Sequence, residues 1–332
     1  MTWRRAWLAA AMTVIAACAE SSEGGRADVA PVADVVVGDA QFGDGGFVPS
    51  DVVGADSAVG PDVAADSVDA LAETTPPETG DRDNDGVPDA ADPFPDDGTR
   101  PGIALDLTVY AHTEDTLFTM NVKTYFVDPV GAFDFPPGFE TSEQMTDIAI
   151  DRWGVLWGVS FDRLWVCHPQ TAECWRMGEL PDSFNGLTWV PGAAISAGSD
   201  MLIGVANDGG WFRLSVSGGL VSATKLGSYG PNFTSSGDAF SIEGIGTFAS
   251  VNETLKTDDR IVRIDPKTGG TLALVGTTPG LFELWGLAGW TERIFGFDAS
   301  GAIVVIGLLD GKVTPVAKTE HEWWGAGVRS RL

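Results

Sequence analysis

Five aspartates, Asp81, Asp83, Asp85, Asp89 and Asp92, occupy positions 1, 3, 5, 9 and 12 of one short stretch, with Gly86 at position 6. Carboxylates at alternate positions of a tight turn can bring several hard oxygens to one point, and a glycine allows the sharp reversal that this needs. Ca2+ takes about six to eight oxygen ligands in flexible geometry, whereas Mg2+ keeps its waters and demands a stricter octahedron. The spacing therefore points to Ca2+, held by Asp81, Asp83, Asp85, Asp89 and Asp92 with the carbonyl of Val87 at position 7.

The residues after the loop narrow its type. A helix-entering loop of the EF-hand or dockerin kind would continue into a helix past position 12, but Pro93 and Pro95 follow at once and forbid one. The pattern from Asp81 to Asp92, with Pro95 beyond it, instead resembles a thrombospondin type 3 repeat, in which a cysteine stands where this chain has Phe94. The resemblance covers about fifteen residues and one full copy, followed by Asp96-Asp97-Gly98; in the family such repeats run in tandem and share ions. It implies a Ca2+ site that stiffens the junction at which it stands.

The other reactive side chains are few. Cys167 and Cys174 flank the turn His168-Pro169-Gln170-Thr171-Ala172-Glu173, which puts them on neighbouring strands of one hairpin, and a disulfide is expected in an oxidising compartment. A zinc site would need more ligands than His168 alone. The chain has no Gly-x-Ser-x-Gly elbow, no Ser-x-x-Lys set with its partners and no His-Glu-x-x-His pair, so nucleophilic and zincin-type hydrolysis have no signature here.

The elements that hold these residues begin with an address. Trp3-Arg4-Arg5 leads into an apolar run from Ala6 to Ala17, too short to span a bilayer, where about 20 residues are required. Ile15-Ala16-Ala17-Cys18 resembles the lipobox of bacterial lipoproteins, which implies removal of residues 1–17, acylation of Cys18 and anchoring in the cell envelope, at the periplasmic or cell-surface face of the outer membrane. Residues 18–80 are mostly Ala, Asp, Val, Gly, Pro and Ser, with Phe42 and Phe47 the only aromatics; they cannot bury a core and read as a disordered acidic linker. From Ala19 to Arg100 there are 20 acidic and 3 basic residues, within a chain of net charge −27. Nucleic acid is excluded as a partner, because phosphate binding needs clustered Lys and Arg.

After the loop region, 81–100, residues 101–332 alternate apolar with β-branched or aromatic residues between Gly, Pro, Asp and Asn breaks, an all-β pattern. Short strands with a central small residue recur: Leu117-Phe118-Thr119-Met120, Leu156-Trp157-Gly158-Val159, Leu202-Ile203-Gly204-Val205, Thr247-Phe248-Ala249-Ser250 and Ile294-Phe295-Gly296-Phe297. Their small residues are 39, 46, 45 and 47 apart, near the ~40 to 50 residues of a four-stranded propeller blade. Third strands follow, as at Tyr125 to Pro129 and Ile261 to Pro266, then a turn such as Pro266-Lys267-Thr268-Gly269-Gly270. Inner strands precede, at Thr146 to Asp151, Gly186 to Val190, Ala239 to Gly244 and Gly286 to Trp290, while Gly325 to Val328 has no blade after it and closes the ring on the N-terminal blade. The domain thus resembles bacterial β-propellers with Leu/Ile-Tyr/Phe-Gly strands and an Ile-Asp-Pro-x-Thr-Gly turn. Five blades are expected, and six if Leu105 to Tyr110 forms an extra inner strand; a β-sandwich is the alternative architecture.

This phasing places Asp147, Asn185, Glu243, Glu283 and Glu322 near inner strands, where a metal-dependent hydrolase or lyase of the lactonase-like propeller type would gather its ligands. The tryptophans mostly fill gaps between blades, and Glu322-Trp323-Trp324 is the candidate contact patch for a protein or glycan ligand. The reading that follows is an envelope-anchored lipoprotein with a Ca2+ loop and a propeller used for binding rather than catalysis. The hydrolase or lyase and a purely structural envelope protein are its rivals.

Overall fold

The computed structural model describes residues 80–139 and 143–332; the expected export signal, Cys18 and the expected linker up to residue 79 lie outside them. Twenty strands form five four-stranded antiparallel sheets. The first blade holds β1 (Thr108–His112), β2 (Thr116–Asn121) and β3 (Val127–Ala132), and the second β4 (Met145–Ile150), β5 (Leu156–Ser160), β6 (Arg163–Cys167) and β7 (Cys174–Glu179). The third comprises β8 (Gly186–Val190), β9 (Met201–Val205), β10 (Gly210–Ser217) and β11 (Leu220–Ser228). The fourth is β12 (Phe233–Ile242), β13 (Gly246–Glu253), β14 (Arg260–Ile264) and β15 (Thr271–Thr277). The fifth is β16 (Gly286–Trp290), β17 (Arg293–Phe297), β18 (Ala302–Gly307) and β19 (Val313–Lys318). The last strand, β20 (Gly325–Gly327), pairs with β1 and completes the first blade as its inner strand. This is a five-bladed β-propeller closed by its C-terminus, and closure leaves no open inner edge.

The first blade departs from the sequence phasing by one strand. Its second strand is β1, not Leu117 to Met120, which lies in the third strand β2, and Tyr125 to Pro129 leads into the fourth, β3. Leu105 to Tyr110 is therefore no sixth inner strand. Ala111, opposite Ala326, occupies the place that Gly158, Gly204, Ala249 and Gly296 hold opposite Ile148, Leu187, Ala239 and Leu287. With Ala111 in the series the intervals become 47, 46, 45 and 47, so the one irregular spacing came from aligning the wrong strand.

Packing explains why that position is small. Three residues before each of these inner-strand positions a peg residue turns inward: Met145, Phe184, Ser236, Leu284 and Trp323. A Cβ at Gly158 would stand 2.5 Å from the Met145 sulfur, one at Gly204 2.9 Å from the Phe184 ring, and one at Gly296 2.9 Å from Leu284 Cδ1. Trp323 is fully buried, edge-on to Phe118 at 5.2 Å and Phe297 at 5.6 Å. The repeat is thus a lock between the residue leading into a blade and the strand beside it.

On the β6–β7 hairpin Cys167 and Cys174 are in register and disulfide-bonded, as their positions about the turn led one to expect. The acidic loop docks on the propeller. Val87 is fully buried, and with Ala91, Phe94 and Ile103 it joins the cluster of Trp157, Trp175 and Leu164. Phe94 meets Trp175 edge-on at 5.2 Å, and the Arg100 guanidinium lies over both rings. At the residue where the resembled repeats carry a cysteine, an aromatic anchor holds the loop instead.

Candidate functional site

In the acidic loop, Asn84 and Gly86 adopt the left-handed conformation, with φ of 61° and 95°. That bends the chain so that Asp81 accepts the amides of Asn84 (2.8 Å) and Gly86 (3.0 Å). Asp83 takes the amide of Asp85, Asp85 that of Val87 and Asp92 that of Phe94, each through Oδ1. Their second oxygens, Oδ2 of Asp83, Asp85 and Asp92, are buried and have no partner. Carboxylate oxygens of Asp81, Asp83 and Asp85 lie within 4.8 Å of one another. Burial, opposed by the bond to Phe94, and the charges of Asp85, Asp83 and Asp81 raise Asp92 to about 6, and Asp85 is raised by burial and by Asp83 and Asp81. Asp89 stands apart: both its oxygens accept from Arg82, which also pairs with Asp96. Unpartnered, mutually repelling carboxylate oxygens are the donor set of a hard divalent cation.

The propeller axis is organised by a second acidic pair. Asp147 and Asp238 stand at equivalent positions of β4 and β12, where the other inner strands have Gly186, Gly286 and Gly325. An inner strand has no neighbour toward the axis, so its inward amides need another acceptor. Asp147 takes the Leu187 amide at 2.5 Å; Asp238 takes those of Leu287 at 2.5 Å and Ala326 at 3.3 Å. Two side chains thus accept the inward amides of three of the five inner strands. Oδ1 of each is buried with no partner, and burial, with Asp238 adding its charge at Asp147, pushes both well above the usual carboxylate range. His112, buried beside them with Nδ1 directed at the Thr113 carbonyl, is held by burial at about 4 and is neutral.

The glycines complete the closure. A Cβ on Gly325 would fall 2.3 Å from His112 Nε2 and 2.5 Å from Asp147 Oδ1, and one on Gly186 2.6 Å from the Gly237 carbonyl. Beneath this level the channel, lined by Ile148, Leu187, Ala239 and Ala326 among others, holds a cavity of about 10 Å³, room for a single water. That cavity has no room for anything larger than water.

The residues expected at the channel do not gather. Asp147 is sealed in the axis, Glu243 lies past β12 and forms an ion pair with Arg152 at 3.6 Å, and only Glu283 and Glu322 sense each other, at the mouth where the inner strands begin. Of the expected contact patch, Glu322 is exposed and Trp324 half-buried, while Trp323 is a core peg. Trp324 meets Trp285 edge-on, centroids 6.1 Å apart and planes at 83°. Trp285 was not singled out from the sequence, yet Glu283-Leu284-Trp285-Gly286 and Glu322-Trp323-Trp324-Gly325 are the same Glu-peg-Trp-Gly unit in adjacent blades. That repetition was the available signal.

The fold defines the protein as a five-bladed β-propeller. No protein-family model and no curated protein matches its sequence. Solved structures similar to it include a protein of unknown function from Bacteroides thetaiotaomicron, at 15% identity and TM-score 0.38 over 66% of this chain and 57% of that one. Others are the computationally designed Ika8 protein (12%, TM-score 0.31, 67% and 62%) and a protein of unknown function from Bacteroides caccae (11%, TM-score 0.34, 63% and 72%). The chain thus spans less than two thirds of the first two.

Proposed function

We propose that this protein is an envelope-anchored binding module: acylated at Cys18, joined through the acidic segment 18–80 to a thrombospondin type 3-like Ca2+ loop at 81–100, and presenting the propeller, 101–332, to a ligand. The observation that carries the binding reading is the propeller's geometry. Its axis is filled by Asp147, Asp238 and glycines, whereas paired indoles and carboxylates stand at the mouth. The unpartnered oxygens of Asp83, Asp85 and Asp92 support the cation: those three with Asp81 would hold Ca2+, and the Val87 carbonyl would add a ligand. Asp89, tied to Arg82, would serve as the clamp that shapes the loop. Ca2+ would cancel the repulsion among these carboxylates and so favour the docked loop.

Calorimetry on the full chain tests the cation. Ca2+ should bind with a measurable heat that Asp83→Ala/Asp85→Ala abolishes; no heat at millimolar Ca2+, the weak end of extracellular sites, would refute the loop's role. Anchoring is tested by Cys18→Ser, which should move the protein from the membrane to the soluble fraction or block its maturation. An unmodified N-terminal peptide in the wild type would overturn acylation.

A further inference from the structure

Trp285 and Trp324 each stand one residue before the axial glycine of their inner strand, Gly286 and Gly325, with Glu283 and Glu322 two residues earlier. Both units lie in the turns just before β16 and β20; in the first, the Trp285 amide bonds to the Glu283 carbonyl at 2.9 Å. The pegs Leu284 and Trp323 are fully buried, whereas Glu283 and Glu322 are exposed and Trp285 and Trp324 half-buried. Gly237, at the equivalent position of the fourth blade, leaves the room: a Cβ there would stand 2.6 Å from Trp285 Cα. Thr146 and Asn185 fill the same position in the other two blades, so the indole pair and its flanking glutamates belong to the fifth and first blades alone.

Two indoles at right angles present a π face and an edge that bound a corner open to solvent, and the π face attracts cations. Its surroundings are negative. Glu283 is raised by burial and by the charges of Asp298 and Glu322. Asp259, under the same turn, accepts the Leu284 amide and the Ser236 hydroxyl through Oδ2, both at 2.7 Å, while its Oδ1 is buried with no partner. Among the described residues none of Asp259, Glu283, Asp298 and Glu322 forms a salt bridge, and Arg260, next to Asp259, is engaged with Glu253 at 3.0 Å. Nor do three of the four bring ligand atoms within 4.8 Å of one another, as the loop aspartates do. They are spaced too widely to share a bare metal ion, and suit a polyatomic cation that touches both the rings and the acids.

We propose that the corner of Trp285 and Trp324, with Glu283 and Glu322, binds an organic cation, an ammonium or guanidinium head group. The proposal rests on the binding-module reading and names its ligand class. The head group lies against the indoles, and the glutamates supply counter-charge. The same chemistry comes from a free quaternary amine or from a lysine or arginine side chain of a basic segment.

The test titrates the full chain with tetramethylammonium, against sodium at matched ionic strength, and separately with a hexalysine peptide, following heat and tryptophan fluorescence. Saturable binding is expected in at least one arm. Trp324→Leu and Glu283→Gln/Glu322→Gln should each weaken it about tenfold or more, Trp324→Phe should keep part of it, and Asp83→Ala/Asp85→Ala should leave it unchanged. Binding in the tetramethylammonium arm assigns a small amine, and binding in the hexalysine arm alone assigns a basic segment. The proposal is overturned if neither probe saturates, or if folded corner variants bind like wild type while deletion of 20–80 removes the signal. Ca2+ heats, measured on the same variants, separate a failure here from a failure of the loop.

Discussion

Asp151 follows the inner strand of the second blade, its carboxyl buried and its Oδ1 accepting the amides of Trp153 (2.8 Å) and Val155 (2.9 Å). Burial outweighs those bonds and, with a smaller push from Asp200, raises it from 3.8 to about 7. A carboxyl whose folded pKa lies above its unfolded value stabilises fully below the unfolded pKa, and that stability is lost as pH rises through the window from about 4 to about 7. Asp151→Asn keeps an oxygen for both amides and removes the titration. The variant should gain on wild type across that window, by up to about 4 kcal/mol at pH 7 and above. Denaturant melts of both proteins at pH 4 and pH 8 check this; a constant difference between them would mean that the group does not titrate in that range. Residue-scale environment also separates neighbours: Trp323 is fully buried among Phe118 and Phe297, while Trp324 beside it is half-buried against Trp285.

At the scale of elements, the recurring unit is a peg set against a small residue on the neighbouring strand, and the loop joins the domain by the same means. Adding a side chain at Gly204 forces it into the Phe184 ring, so Gly204→Val should cost about 1–3 kcal/mol. Gly198→Ala, exposed and with nothing within 4 Å of the added carbon, should change stability little. Thermal denaturation compares the two; equal melting temperatures would show that the glycine serves some purpose other than admitting the peg. The spacing of small residues was readable in the sequence, but its meaning was not, because in the second to fifth blades the peg comes from a segment 12 to 20 residues earlier and meets the small residue only in the folded blade. The first blade was misphased for a related reason: its inner strand lies at the far end of the chain, so no preceding inner strand marked where β1 belonged.

For the whole molecule, closure depends on a few C-terminal residues. β20 pairs with β1, its Ala326 amide reaches Asp238, and Ser330 bridges the turns after β4 and β12 through bonds to Ile150 and Glu243. Deleting Trp324 to Leu332 leaves the inner edge of β1 unpaired and takes the Ala326 amide from Asp238, a loss large against a net stability of about 5–15 kcal/mol. That truncation should aggregate or melt far earlier, while deleting Glu20 to Gly80 should leave the melting temperature nearly unchanged. Should both melt with the full chain, β20 would not be what closes the ring.

The sequence by itself determined the all-β class, the blade period, the closing strand and the Cys167–Cys174 pairing. Each is written locally: alternation, turn residues and spacing within one hairpin. Tertiary structure decided the rest. It put Asp147 beside Asp238 from blades 91 residues apart, sealed the axis that might have held a ligand, buried Trp323, and brought Trp285 to Trp324. Those outcomes depend on which blades adjoin and which side of each strand faces the axis, and such contacts arise only when the ring closes.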